Sequence, residues 1–290
     1  MDLVIQSPDL PTAAVDAFKV GCLAQRVRRG LNCARLSGID DGADTRRIVA
    51  ALSAYWKCDA ALVPADLKLG DYRLLALDMD STLVNIETLD QVAAYAGKGA
   101  EVAAITEAAM RGEIADYKES LRRRVAMLAG VDAALLERVF EEKMRLNPGA
   151  ERLLAACRAA GLKTLLVTGG FRFFAERMQQ RLGLDFTRAN ELEIIDGRLT
   201  GKVSGPAENG GEIVDADGKA RALRDACARL GCAPDKAIAI GDGANDLKMM
   251  RLAGLSVAYR AKPVVQQQAT QALNFSGLDG VLAWFADASD

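Results

Sequence analysis

Two kinds of apolar pattern take turns along the chain. Short apolar runs, "LLAL" at 74–77, "LLV" at 165–167 and "AIAI" at 237–240, end on Asp, Thr or Gly and, with "LSVAY" at 255–259, read as buried strands. Between them lie longer segments with helical spacing: "AERLLAACRAAG", "FRFFAERMQQRLG", "GKARALRDACARLG" and "ANDLKMMRLAG". Strands interleaved with helices predict an α/β fold with a doubly wound parallel sheet. Ligands of such sheets bind beyond the carboxyl ends of the strands. One segment, "LEIIDGRLTGKV", predicts a hairpin instead, with Asp196-Gly197 as its turn.

Two stretches depart from this rhythm. Residues 1–72 predict a small α+β N-terminal domain: a strand in "DLVIQS", a helix in "PTAAVDAFKVGCL", a strand-like "RVRRGLNCARL", a helix in "DTRRIVAALSAYW" and an extended "AALVPADL", with "KLGDY" as the junction. From Leu89 to about Leu146 nearly everything is helical, punctuated by Gly97, Gly112 and Gly130 and stopped by "NPG" at 147–149. This block falls between the first two strands of the sheet, so it is expected to be a helical cap over residues 88–146. The sheet domain then comprises 73–87 and 147–290.

Composition narrows the chemistry. At 290 residues, half of them apolar, the chain can bury a sizeable core. A formal net charge of -2 argues against nucleic acid or an anionic membrane as partner. No apolar run approaches the roughly 18 residues of a membrane span. The start, "MDLVIQSPDL", lacks a signal-peptide pattern, so a cytoplasmic protein is expected. The six cysteines form no C-x-x-C pair and read as reduced core residues. Histidine is absent. That removes a Ser-His-Asp triad, a histidine base and a histidine-ligated zinc site together, leaving acid-base work to Asp, Glu, Lys, Tyr or Cys.

Three strands run into polar residues that should share one rim. "LLALDMD" ends on Asp78 and Asp80, "TLLVTGG" on Thr168, Gly169 and Gly170, and "AIAIGDGAND" on Asp242, Asn245 and Asp246, with Lys219 at a helix start between the last two. Neighbouring carboxylates repel, and burial makes that costly unless a positive partner is present. Hard oxygen ligands suit Mg²⁺, which binds through one or two carboxylates and a substrate phosphate. A threonine hydroxyl and a glycine turn opening a helix make a phosphate cradle. Lys219 supplies a cation, with Lys202 and Lys236 as rivals. Together these point to phosphoryl transfer, in which an Asp can itself be the nucleophile. Plainer readings exist. A lone D-x-D is often a strand-end turn. "GDGAND" lacks the third glycine of a dinucleotide fingerprint, and "DADGKARALRDAC" has Ala226 where a calcium loop needs its bidentate Glu. "RRR" at 122–124 is usually a solvated helix face, although Arg124, seven residues after Tyr117, shares that residue's face.

In order, "DMDSTLV", "VTGGF", "DADGKA" and "GDGANDLKMM" resemble the four motifs of the haloacid dehalogenase (HAD) superfamily. "DMDSTLVNIETLD" and "ITEAAMRGEIADYKESLRRRVAML" look closely like the phosphoserine phosphatases within it. The resemblance covers about residues 73–287 and leaves out the N-terminal region, where some bacterial members carry an ACT-like domain. It implies Mg²⁺-dependent hydrolysis of O-phospho-L-serine through an aspartyl-phosphate, the last step of serine synthesis. It assigns Asp78 as nucleophile and metal ligand, and Asp80 as acid then base, lending its main-chain carbonyl to the metal. Asp242 completes the metal set, and Asp246 stands behind it, orienting Lys219 or a metal-bound water. Thr168, Gly169, Lys219 and Asn245 would hold the phosphate, and Glu87 and Arg124 the amine and carboxylate of the substrate. A homodimer is compatible with this reading. Thr168 stands where the family usually has Ser, and "SGPAENGGEIV" at 204–214 is longer than the usual connection. Two rivals are an enzyme acting on another small phosphomonoester and a sensor with an inert phosphatase part, against which the intact set Asp78, Asp80, Lys219 and Asp242 argues.

Overall fold

The structure, a computed structural model, describes residues 1–111 and 113–287. Gly112, expected as punctuation within the cap, lies outside the described residues.

The chain opens with β1 (Asp2–Gln6), α1 (Thr12–Gly21), β2 (Arg26–Arg29), β3 (Cys33–Ser37), α2 (Ala43–Trp56) and β4 (Asp59–Val63). The strands form an antiparallel sheet in the order β2-β3-β1-β4. The stretch 26–36, expected as one strand-like run, is a hairpin, because Gly30 turns the chain and its N–H bonds the Cys33 carbonyl. Side chains alternate across a strand. Leu3, Ile5, Leu36 and Leu62 therefore pack with Phe18 of α1 and Val49 of α2 on one face. Val4, Ala61 and Val63 point the other way into the main core.

The larger unit begins with β5 (Leu74–Leu77), followed by α3 (Thr88–Tyr95), α4 (Gly99–Met110), α5 (Tyr117–Ala126) and α6 (Ala134–Glu142). Next come α7 (Ala150–Ala159), β6 (Lys163–Phe171), α8 (Arg172–Leu182), β7 (Phe186–Ile195) and β8 (Arg198–Ser204). The chain continues through α9 (Ala216–Arg229), β9 (Ala237–Gly241), α10 (Leu247–Met250), β10 (Leu255–Tyr259), α11 (Pro263–Gln266) and β11 (Gln271–Leu273). The sheet order is β11-β10-β9-β5-β6-β7-β8, parallel except for the β7-β8 hairpin. The hairpin turn at Asp196 and Gly197 has positive φ at both residues, as the sequence pattern requires. Strand β11 had no counterpart in the sequence reading, because "QAL" is too short to carry a period.

Strand β5 is central and buried on both faces: Leu75 and Leu77 enter one core layer, Leu74 and Ala76 the other. Leu77 is level with Leu166 of β6 and Ile240 of β9. The residues following these three, Asp78, Val167-Thr168 and Gly241-Asp242, therefore emerge side by side where the crossovers diverge. Helices α3–α6 hang from two stems, paired by an isolated bridge between Val84 and Leu146, and rest on the β7-β8 hairpin through Gly130, Ala133 and Asp132.

Polar side chains bolt the two units together. Buried Asp59 on β4 accepts the N–H groups of Asn274 (2.6 Å), Phe275 (3.2 Å) and Ser276 (2.7 Å). Gln6 donates to the Gly280 carbonyl, and Arg35 donates to those of Ala283 and Trp284. Asp59→Ala strands three N–H groups at this junction and is expected to lower unfolding free energy by about 2–4 kcal/mol. A urea melt checks it: the midpoint should fall, and Asp59→Asn should recover part of the loss.

Candidate active site

The site is built on the turn after β5. Its backbone makes a wide loop in which the Val84 N–H reaches the Met79 carbonyl and the Leu83 N–H that of Asp78. Ser81 sits at φ 59°, a left-handed conformation that costs a non-glycine residue free energy and needs support. Asn147, at the return from the cap, supplies it. Its side-chain amide donates to the carbonyls of Thr82 (2.8 Å), Val84 (3.1 Å) and Ser81 (3.3 Å), and its own N–H donates to Leu83. Asn147 was missed at the sequence level, where "NPG" reads only as a stop.

Lys219, fully buried at the start of α9, donates from Nζ to Asp78 Oδ1 (2.5 Å) and Asp246 Oδ1 (2.6 Å). Burial works against its charge, yet Asp246 and Asp78 outweigh that and raise its pKa. The rivals fall away: Lys202 pairs with Glu193 on the surface, and Lys236 is exposed. Asp246 gives its other oxygen to the Gly243 N–H. It approaches so closely that a Cβ at Gly241 would collide with its carboxylate. Thr82 donates to Asp242 Oδ1 (3.1 Å).

Oxygens of Asp78, Asp242 and Asp246 lie within 4.8 Å of one another, an arrangement that can hold a metal ion. The sequence reading kept Asp246 outside the metal set. The structure brings it into the cluster, although both its oxygens are taken by Lys219 and Gly243. Burial first, then the neighbouring carboxylates, raise the pKa of Asp78 well above the ordinary carboxylate range and that of Asp242 to about 6. A hard cation fits this all-oxygen set and would offset that repulsion.

Asp80 faces elsewhere. Its Oδ2 accepts from the Thr88 N–H (3.1 Å) and hydroxyl (2.8 Å), while Oδ1 is buried without a partner among the described residues. Burial, reinforced by Glu87, raises its pKa to about 7 against the pull of Thr88. A carboxyl poised there can both give and take a proton near neutrality. Exposed Glu87 accepts from the Ser81 hydroxyl (2.6 Å). Thr168 accepts the Gly170 N–H at its hydroxyl oxygen (2.8 Å), which leaves the hydroxyl proton free to donate. Asn190 fixes the Gly169 carbonyl (2.8 Å). Asn245 lies half-buried, its side chain folded over Gly243.

Cap helix α5 completes the rim. Tyr117 reaches down so that a Cβ at Gly169 would collide with its hydroxyl, and its half-buried ring lies in the field of Lys219, Arg124, Asp78 and Asp80. Of the three consecutive arginines, Arg122 and Arg123 are exposed, whereas Arg124 is half-buried and its Nε has no partner among the described residues. The structure thus brings all ten sequence-derived candidates to the rim or the cap above it. Beyond Asn147, sequence reasoning missed Thr82, Thr88 and Asn190, whose signal is at most a polar residue beside a motif.

A model of haloacid dehalogenase-like hydrolases matches residues 75–251. The chain belongs to the haloacid dehalogenase-like hydrolase family, among its phosphatases. It is 58% identical over 217 residues to a phosphoserine phosphatase of Polaromonas sp., covering 75% of this chain and 91% of that one. A HAD family hydrolase from Salmonella enterica serovar Typhi superposes with a TM-score of 0.87 at 30% identity over 99% of both chains. A probable phosphoserine phosphatase from Vibrio cholerae, in unliganded form, gives 0.81 at 34% identity over 99% of this chain and 87% of that one. These whole-chain matches extend to the N-terminal sheet, which the family model leaves out.

Asn147→Ala should leave the fold intact but let the Ser81 turn relax. Turnover of p-nitrophenyl phosphate is expected to fall roughly ten- to a hundredfold in kcat with KM little changed. An unchanged kcat would reduce Asn147 to a hinge residue.

Proposed function

We propose that this chain hydrolyses O-phospho-L-serine to serine and phosphate through a phosphorylated Asp78. The observation that carries the reading is a pair of buried polar atoms at the site that have no partner among the described residues. Asp80 Oδ1, on the same turn two residues after Asp78, is suited to the ester oxygen, and Arg124 Nε on the cap is suited to a substrate carboxylate. Buried polar atoms normally have partners, so these two read as places for a ligand.

Asp78 attacks phosphorus with its free carboxylate oxygen while Lys219 holds the other, and the P–O bond to serine breaks. Asp80 gives its proton to the departing serine oxygen. The same carboxylate then takes a proton from the water that attacks the aspartyl-phosphate, releasing phosphate and restoring Asp78. The Thr168 hydroxyl, the Gly169-Gly170 turn, Lys219 and Asn245 hold the phosphoryl oxygens. Glu87 faces the ammonium and Arg124 the carboxylate of serine. Asp246 keeps Lys219 charged and aimed.

Asp78, Asp242 and the main-chain carbonyl of Asp80 would hold Mg²⁺, which when bound draws negative charge from the phosphoryl oxygens. The place of this reaction at the end of serine synthesis, in the cytoplasm, follows from the same reading. The α1–α2 unit contributes no residue to the chemistry.

Phosphate release from phosphoserine, measured with and without EDTA, tests the proposal directly. Activity should vanish with EDTA and return with Mg²⁺. Asp78→Asn should retain less than about a hundredth of kcat, a loss above about 3 kcal/mol. If it keeps more, the covalent route is wrong.

Arg124→Ala separates substrate selection from chemistry. It should lower kcat/KM for phosphoserine about ten- to a hundredfold, the worth of a charged hydrogen bond. For p-nitrophenyl phosphate, which has no carboxylate, the loss should be small. Equal losses on both esters would assign Arg124 to the phosphate or to cap structure.

A further inference from the structure

The N-terminal sheet has one face under its two helices and the other turned toward the larger unit, which covers only part of it. Across that second face, register places Arg28, Arg35, Val4 and Ala61 in one row over β2-β3-β1-β4. Val4 and Ala61 pack into the main core, so the other half of the row, Arg35 and Arg28, overhangs the 276–286 segment. A cleft of about 720 Å³ lies beneath the overhang, floored by Ser276, Gly277, Asp279 and Gly280. It shares no lining residue with the active site.

The lining is strongly one-signed. Four arginines, Arg28, Arg29, Arg35 and Arg152, face one carboxylate, Asp279, in a chain whose net charge is -2. Two of the four are committed: Arg35 to Asp2 and the Ala283 and Trp284 carbonyls, Arg29 to Thr12 and the Leu10 carbonyl. Arg152 reaches Asp279 only at 3.5 Å, and the Arg28 side chain has no ion-pair or hydrogen-bond partner among the described residues. On the floor, Ser276 is 8% exposed; its N–H is held by Asp59, but its hydroxyl is buried without a partner among the described residues. A buried donor without a partner costs free energy that a bound acceptor would recover.

The size and the junction between two units suit a small-molecule site, and the Arg28 and Arg152 guanidinium groups and the Ser276 hydroxyl can each donate to an anion. We propose that this cleft is a second ligand site, taking a small anion with carboxylate or phosphate groups, held by Arg28 and Arg152 at the rim and by the Ser276 hydroxyl at the floor.

The chain carries its own reporter. Of its two tryptophans, Trp284 lies in the floor segment between the lining residues Ala283 and Phe285, and Trp56 lies on α2 under the other face of the sheet. The test follows both indole N–H resonances of the full chain, assigned with Trp56→Phe, during titration into the millimolar range with succinate and, separately, inorganic phosphate. A saturable shift of Trp284 but not Trp56 is expected with at least one probe. Saturation by succinate alone marks the ligand as a carboxylate, and by phosphate alone as a phosphate. The shift should persist in Asp78→Asn, so it does not depend on phosphorylation of Asp78, and dependence on Arg28 and Arg152 separates it from anion binding at the active site. It should weaken at least roughly tenfold in the Arg28→Ala/Arg152→Ala variant, whose phosphatase turnover stays at the wild-type level. Shifts that stay linear with both probes, or saturable binding that survives the double substitution or is lost in Asp78→Asn, would overturn the proposal.

Discussion

The structure depends on one buried cation. A parallel sheet that opens its central strands on buried Asp78 and half-buried Asp242, with buried Asp246 behind, gathers negative charge where solvent screens it little. Lys219 makes this tolerable by bonding two of the three carboxylates. Such an ion triad is weak evidence of stability in itself, since desolvation offsets much of the attraction, but loss of one partner would leave a bare buried charge. The lysine must therefore arrive at a fixed place. Asp215 caps α9 by accepting the Gly218 N–H (2.9 Å) and also pairs with Lys118 of the cap (3.3 Å). The residue that starts the helix carrying the cation thus also anchors the helix that covers it.

The division of labour follows from that placement. Groups suited to phosphorus rise from the core strand ends, whereas Tyr117 and Arg124 descend from α5. Close packing of Tyr117 over Gly169 leaves no room for a side chain there. A glycine in this turn is thus explained by the approach of the cap.

Much of this was legible in the sequence because it is periodic or local. Apolar runs ending on acids gave the strand ends, and the seven-residue spacing from Tyr117 separated Arg124 from its two exposed neighbours. What escaped is long-range and aperiodic. Asn147 acts on carbonyls more than sixty residues away, and a bond between a side chain and a distant main chain leaves no pattern. The left-handed Ser81 is invisible for a related reason: only a glycine would have advertised that conformation. The entry of Asp246 into the carboxylate cluster depends on how far a short turn folds back, which spacing alone does not specify. The hairpin at 26–36 could have been read from Gly30 with more weight on turn chemistry.

The stem at Val84 and Leu146 bears on how such a molecule can be rebuilt. Everything between those residues is one excursion of chain that leaves and rejoins the core at a single paired point. A different cap could be spliced there, bringing new substrate contacts while the strand ends stay untouched. The cut has to fall on the cap side of Asn147, because that residue belongs by its bonds to the loop after β5. Its neighbour Pro148 in turn accepts the Leu278 N–H (2.7 Å), which moors the rejoining strand to the carboxyl-terminal segment. A graft that respects this seam exchanges specificity as a cassette; one that crosses it by a single residue removes the brace from the catalytic turn.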